Sequence, residues 1–266
     1  MHVLIAGCGE LGMAIGRQLI ARRDRVTGLR RNAESLPSDF QRLSVDLCGD
    51  LSCVPEQFDA VIYAATAASR DEQGYRNIYV HAQRRLRQRV RCARWLFVSS
   101  TAVYPDDGSV VTEASAAQPA AFNGRVLKEG EDVALSTPEG CCVRLAGIYG
   151  PGREMLLRRV RRGDPLARSR HYTNRIHIDD AASLCVRLLD NDAPPIVNGV
   201  DDMPCGEADI LSWLADAMAL PRLPIASELP SGKRVSNALA RSLGWRPTYA
   251  SYREGYAAML RAPVDG

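Results

Sequence analysis

The sequence predicts an α/β protein built on a doubly wound parallel sheet. Three observations predict it. Apolar runs of strand length alternate with amphipathic stretches of helix length through residues 1–150. The runs are continuously apolar, as expected where helices cover both faces of a parallel sheet. The first run opens directly into a glycine-rich turn and then a helix (MHVLIAGCGELG).

Strands are expected at His2–Ala6, Arg25–Leu29, Gln41–Asp46, Ala60–Ala65, Trp95–Ser99 and Cys141–Leu145. Helices are expected at Leu11–Arg22, at about Gln73–Cys92 and at about Gly124–Leu135. Beyond Gly150 the pattern changes. Pro151, Gly152, Gly163, Pro165, Pro194, Pro195, Pro204, Pro221, Pro224 and Pro230 cut the chain into short elements. Residues 1–150 are therefore expected as the sheet lobe and 151–266 as a smaller lobe. Ile196–Val200 is expected as a strand that returns to the sheet, and Ala208–Ala219 as an amphipathic helix.

Composition narrows the function classes. Apolar residues make up 46% and charged residues 24% of the 266, which argues against disorder. No apolar run approaches the roughly 18 residues of a membrane span. The first residues carry no basic n-region or small-residue cleavage site, so a cytoplasmic protein is expected. A net charge of +3 is too balanced to imply nucleic acid. Lys128 and Lys233 are the only lysines, so arginine carries the positive charge. Its densest cluster, Arg84, Arg85, Arg87, Arg89, Arg91 and Arg94, lacks interleaved stacking aromatics and reads as a solvated helix face. The eight cysteines show no CxxC or zinc spacing, and the four histidines no ligand spacing, so no metal site is expected.

Gly7, Gly9 and Gly12 form GxGxxG in the context that gives the pattern meaning, after a strand and opening a helix. Gly7 permits the tight turn, Gly9 lets backbone approach a diphosphate, and Gly12 lets helix and strand pack closely. Glu10 and Leu11 begin the helix whose positive end would meet that diphosphate. An acidic residue about 20 positions on would bind a ribose 2′-hydroxyl. The second strand instead ends in Arg30 and Arg31. Guanidinium groups pair with a 2′-phosphate, so NADP is expected over NAD. Asp46 and Leu47 would flank the adenine, and Ala64, Ala65, Thr66 and Ser99 would line the cofactor.

Taken together, GCGELG, VDL at Val45–Leu47, VSSTAVY at Val98–Tyr104, RLAGIYGPG at Arg144–Gly152, HIDD at His177–Asp180 and GVDDMP at Gly199–Pro204 form an ordered set. KRVSNALARSLGWRPTYASYREGY at Lys233–Tyr256 completes it. The chain resembles the extended short-chain dehydrogenase/reductases, the NAD-dependent epimerase/dehydratase group, over nearly its whole length. The resemblance implies a Rossmann lobe, a smaller substrate lobe and a bound nicotinamide dinucleotide. It also implies a reacting-oxygen ligand at Ser100 and a Tyr-Lys pair four residues apart on the following helix, where lysine lowers the tyrosine pKa.

The segment AAFNGRVLKEGEDVAL departs from that pair. If Glu131 matches the glutamate that follows the motif, Asn123 stands for the tyrosine and Leu127 for the lysine. If Lys128 is the lysine, Gly124 stands for the tyrosine. The catalytic candidates are accordingly Ser100, Asn123, Tyr104 and Lys128. The substrate-binding candidates are Tyr149, Arg153, Arg175 and His177. A second basic run, Arg153, Arg158, Arg159, Arg161, Arg162, Arg168 and Arg170, would face a substrate diphosphate or solvent. The expected function is an NAD(P)-dependent oxidoreductase or epimerase/dehydratase-like enzyme with a non-standard proton donor. Its substrate would be a small carbonyl, alcohol or nucleotide-sugar, and a homodimer is allowed. The alternative is a non-catalytic NADP-binding redox sensor or partner-binding protein.

Overall fold

The computed structural model describes residues 1–163, 167–168, 171–190, 192–226 and 231–261. Pro165, Arg170 and Pro230, named above, lie outside the described residues, as does the side chain of Arg168. The first half of the chain runs β1 (His2–Ala6), α1 (Glu10–Ala21), β2 (Arg25–Arg30), β3 (Gln41–Ser44), β4 (Ala60–Tyr63), α2 (Glu72–Arg76) and α3 (Gln83–Arg89). It continues with β5 (Arg94–Ser100), β6 (Asp107–Val111), α4 (Phe122–Ala134), β7 (Gly140–Leu145), β8 (Gly147–Tyr149) and α5 (Met155–Arg162). The remainder is β9 (Ala167–Arg168), β10 (His171–Thr173), β11 (Arg175–His177), α6 (Ile178–Arg187), β12 (Ile196–Gly199) and β13 (Cys205–Gly206). Last come α7 (Glu207–Ala217), β14 (Ile225–Ala226), β15 (Ser231–Val235), α8 (Ala238–Ser242) and α9 (Tyr252–Arg261).

A seven-stranded sheet has the order β12-β7-β5-β4-β1-β2-β3. β1 pairs parallel with both β2 and β4. Strand order reverses between β1 and β4, so their carboxyl ends frame the crevice where ligands bind in such sheets. Burial explains the continuous apolar runs: Val3, Leu4, Ile5, Val61, Ile62, Leu96 and Phe97 are all fully buried. β12 joins the edge beside β7, the return expected near residues 196–200.

The chain clusters into two compact units. The first is Met1–Val103, Ala117–Arg144 and Ala182–Val197; the second is Tyr104–Ala116, Leu145–Ala181 and Asn198–Gly266. Tyr104–Ala116 falls in the second because β6 pairs with β15, far along the chain. The second unit holds a four-stranded sheet of order β13-β10-β15-β6 and an apolar core that includes Leu157, Ile210, Leu214, Tyr252 and Tyr256. No helix among the described residues is long and apolar enough to cross a membrane.

The helix expected at Gln73–Cys92 differs from the sequence expectation in two ways. It is broken by a π-helical segment, Asn77–Ala82, between α2 and α3. Tyr63 donates its hydroxyl to the Ile78 carbonyl at 2.7 Å, and Gln83 Nε2 donates to the carbonyls of Tyr79 (3.2 Å) and Gly130 (2.8 Å). Buried polar partners thus satisfy backbone groups that a π turn displaces. The arginine-dense helix is also not simply a solvated face. Arg85, Arg87 and Arg89 reach carbonyl and side-chain oxygens of neighbouring loops, and Arg94, 7% exposed, donates to the carbonyls of Leu188 and Ala193. A guanidinium fork suits irregular backbone carbonyls, and a sequence shows the charge without showing the acceptors.

Candidate functional site

A cavity of about 490 Å³ opens in the first unit beyond the carboxyl ends of β1, β2, β3 and β4. Its wall includes Gly7, Gly9, Arg30, Arg31, Asp46, Leu47, Ala65 and Thr66. The glycine turn explains how these segments meet. Gly7 has φ +85, and a Cβ there would lie 2.3 Å from Ala65 Cα. Only glycine permits this left-handed turn while the backbone presses on the loop after β4.

A Cβ on Gly9 would meet nothing within 4 Å and would stand in the cavity. Among the described residues, no side chain caps α1, which starts directly after Gly9. The positive helix end and the bare Gly9 backbone therefore suit a diphosphate. Gly12 serves packing, since a Cβ there would lie 3.0 Å from Ile5 Cγ2.

The far wall carries positive charge. Neither Arg30 nor Arg31 has a carboxylate partner among the described residues. The acid beside them, Asp46, turns Oδ1 back to accept from Cys48 N at 2.9 Å. Leu29, Val45 and Leu47 supply apolar wall. An adenosine suits this wall, because the apolar side can take a base and the two guanidinium groups place positive charge beside it.

Other sequence-predicted cofactor residues sit off the wall. Glu10 is exposed, while Leu11 and Gly12 are buried beneath the turn. Ala64 is half-buried, and Ser99 is committed elsewhere, donating to Glu131 Oε1 at 2.7 Å. Sequence reasoning missed Asn32, Cys48, Ala68, Ser69, Gly74, Asn77 and Ile78, all on the wall. The polar loop after β4 hinted at Ser69. Nothing signalled Asn77 and Ile78, because the π segment presents them.

β5 runs into a short 3₁₀ turn, Thr101–Val103, and α4 packs against both. Ser100 is half-buried at this junction, and its Oγ accepts from Ala102 N at 3.2 Å. α4 is anchored by Glu131, which is fully buried and held by Ser99 and Arg144. Leu127 and Asn123 lie one and two helical turns before Glu131 and share its face. Lys128 pairs with Asp132 on the outer side. At Gly124 a Cβ would fall 2.4 Å from both Ala102 O and Pro119 Cβ, so this position has no room for a larger side chain. On the Glu131 register of the sequence reading, Asn123 and Leu127 are the positions where the tyrosine and lysine would be sought.

The remaining candidates belong to the second unit. Tyr104 is 1% exposed and donates its hydroxyl to Asn198 Oδ1 at 2.9 Å. This hydrogen bond ties the loop after β5 to β12 within the second unit. Tyr149 is buried, stacks on Tyr256 at 4.5 Å and has its hydroxyl pKa raised by burial. His177 lies 4.2 Å from the Tyr249 ring, and burial lowers its pKa. Arg175 donates to Thr173 Oγ1 at 2.9 Å and faces Cys205. Arg153 closes a turn, its N–H donating to Gly150 O at 2.9 Å. In the second basic run, Arg159 pairs with Glu207 and Arg161 with Glu154, while Arg158 and Arg162 are exposed.

No family model matches the chain. Protein YeeZ of Escherichia coli strain K12 is 31% identical over 201 residues, covering 70% of this chain and 72% of YeeZ. A 3-diazoavenalumate denitrifying reductase from Streptomyces is 29% identical over 145 residues, 46% of this chain and 48% of the reductase. A solved structure from Methylobacillus flagellatus, provisionally assigned as an NAD-dependent epimerase/dehydratase, is 31% identical over 97% of both chains with a TM-score of 0.81.

Proposed function

The chain belongs to the NAD-dependent epimerase/dehydratase family, and from that premise we propose that it is an NADP-dependent oxidoreductase or epimerase-like enzyme of a small carbonyl, alcohol or nucleotide-sugar. The observation that carries the proposal is the cavity wall that joins Gly7 and Gly9 to the uncompensated Arg30 and Arg31. Gly9 and the start of α1 hold the diphosphate, and the two arginines pair with the 2′-phosphate. Asp46 and Leu47 flank the adenine, and Ala65 and Thr66 line the cofactor. A bound nicotinamide supplies the hydride. Ser100 holds the reacting oxygen, and Asn123 adds a neutral donor that cannot itself carry a proton. The proton therefore moves through a group other than the family's usual tyrosine. Arg153, Arg175, His177 and Tyr149 are the proposed substrate-binding residues of the second unit. The enzyme acts in the cytoplasm, where its thiols stay reduced.

The test has two stages. Calorimetric titration should show NADPH binding more tightly than NADH. Absorbance at 340 nm with a panel of carbonyl substrates should then fall, or, for the epimerase-like reaction, which returns the hydride to its substrate, chromatography should show a nucleotide-sugar converted with no net change at 340 nm. No heat with either nucleotide overturns the proposal. Tight NADPH binding with no turnover favours a second reading, a redox sensor, which Asn123 and Leu127 at the expected proton-relay positions already motivate. That reading requires partner capture to change between NADPH and NADP.

A further inference from the structure

The arginines of α3 do work that the cofactor assignment leaves unexplained. Asp46, Leu47 and Cys48 form the adenine side of the cavity, yet they lie in the irregular connection between β3 and β4. Local bonds close that turn on itself: Cys48 N–H donates to Asp46 Oδ1 and Gly49 N–H to Asp46 O, both at 2.9 Å. Such bonds shape the turn without fixing where it stands. Arg85 fixes it, donating from Nη1 to Cys48 O at 2.9 Å and from Nη2 to Gly49 O at 2.6 Å. One helical turn on, Arg89 holds the following stretch, with Nη2 to Ser52 O at 2.8 Å and Nε to Val54 O at 3.0 Å. Neither arginine is part of the cavity wall.

We propose that Arg85 is a positioning residue for the adenine end of the bound dinucleotide, acting through the Asp46–Gly49 turn, and that Arg89 anchors the same connection chiefly for stability. The proposal rests on the NADP reading of the cavity. The two arginines divide the work because of what else holds each stretch. Val54 is fully buried and Leu51 is 6% exposed, so apolar packing also secures the part that Arg89 grips. At the cavity end Cys48 is exposed and Gly49 half-buried, and Leu47 is the only buried side chain of that turn. A fork that meets two adjacent carbonyls at once is not reproduced by a lysine ammonium, a single point donor.

The experiment compares wild type, Arg85→Ala, Arg85→Lys and Arg89→Ala in the full chain. It uses NADPH and adenosine 2′,5′-bisphosphate titrations, thermal unfolding, and hydrogen exchange at Cys48 and Gly49. Arg85→Ala should weaken both nucleotides about tenfold, the loss of charged hydrogen bonds that order the turn. Its melting temperature should move by no more than a few degrees. The Cys48 and Gly49 amides should exchange faster in this variant and regain protection with NADPH. Arg85→Lys should recover little of the affinity, and it supplies the comparison should the alanine variant not fold. Arg89→Ala should lower the melting temperature more than the affinity. Wild type that binds both nucleotides while the Arg85 variants bind equally well overturns this proposal alone. Wild type that binds neither nucleotide overturns the NADP reading and this proposal with it.

Discussion

Arg144 closes two hydrogen bonds onto the carboxylate of Glu131, Nε to Oε1 at 2.8 Å and Nη2 to Oε2 at 2.7 Å, with the side chains 2% and 0% exposed. Ser99 donates to the same carboxylate, so one buried charge ties β5, α4 and β7 together. Removing one partner of such a pair leaves an uncompensated buried charge, a loss of about 3–5 kcal/mol. Glu131→Leu or Arg144→Met alone should therefore lower stability by about that amount in urea unfolding. The double variant should recover part of the loss, because no lone charge remains. A double variant that loses the full sum of the two singles would show that the pair is not coupled.

Arg30 and Arg31 are the proposed grip on the 2′-phosphate. Replacing both with alanine should weaken NADPH by roughly 10–100-fold, as expected when charged hydrogen bonds of about 1.5–3 kcal/mol are lost. NADH, which lacks that phosphate, should bind within about a factor of three of wild type. Calorimetry on the same preparation measures both. An equal loss for both nucleotides would return the arginines to general surface charge.

The glycine loop was legible because everything it needs is local. GCGELG follows an apolar run and opens a helix, and the residues that end β2 can be read beside it. Long-range pairing was not legible. VSSTAVY looks continuous in the sequence, yet the compact units part at Tyr104, whose hydroxyl turns to Asn198 far along the chain. The π segment that presents Asn77 and Ile78 inserts an extra residue into a turn, and 3.6-residue periodicity does not register one such insertion. The arginines of α3 were visible as charge. Their purpose depends on carbonyls of a connection that no pattern places.

Gly7 and Gly9 sit two residues apart and should answer a side chain differently. Gly9→Val adds atoms where nothing lies within 4 Å, so the fold should persist and dinucleotide binding should vanish. Gly7→Val forces a β-branched residue to φ +85 with its Cβ 2.3 Å from Ala65 Cα, so this variant should be destabilised outright. Thermal unfolding and an NADPH titration separate the two effects. Undiminished affinity in Gly9→Val would make the loop a structural turn only.

Asp201 should make the stability of the protein depend on pH. Its side chain is buried at 2% exposure; Oδ1 accepts from Met203 N at 3.0 Å, while Oδ2 has no hydrogen-bond partner among the described residues. Burial pushes its pKa up to about 7, with Asp202 and Glu254 adding in the same direction and Arg175 opposing. The folded pKa lies above the unfolded carboxylate value of about 3.9, so folding favours the protonated form. Stability is full below that unfolded value, declines as pH rises toward 7 and stays low beyond it. Asp180, raised by burial, slopes the same way, whereas His177, lowered by burial, loses stability as pH falls. The difference between wild type and Asp201→Asn isolates the one group. Asparagine keeps an oxygen for Met203 N and cannot ionise. The variant should gain on the order of 3 kcal/mol over wild type between pH 4 and pH 8. Urea unfolding at several pH values measures the gain, and parallel curves for the two proteins would refute the assignment.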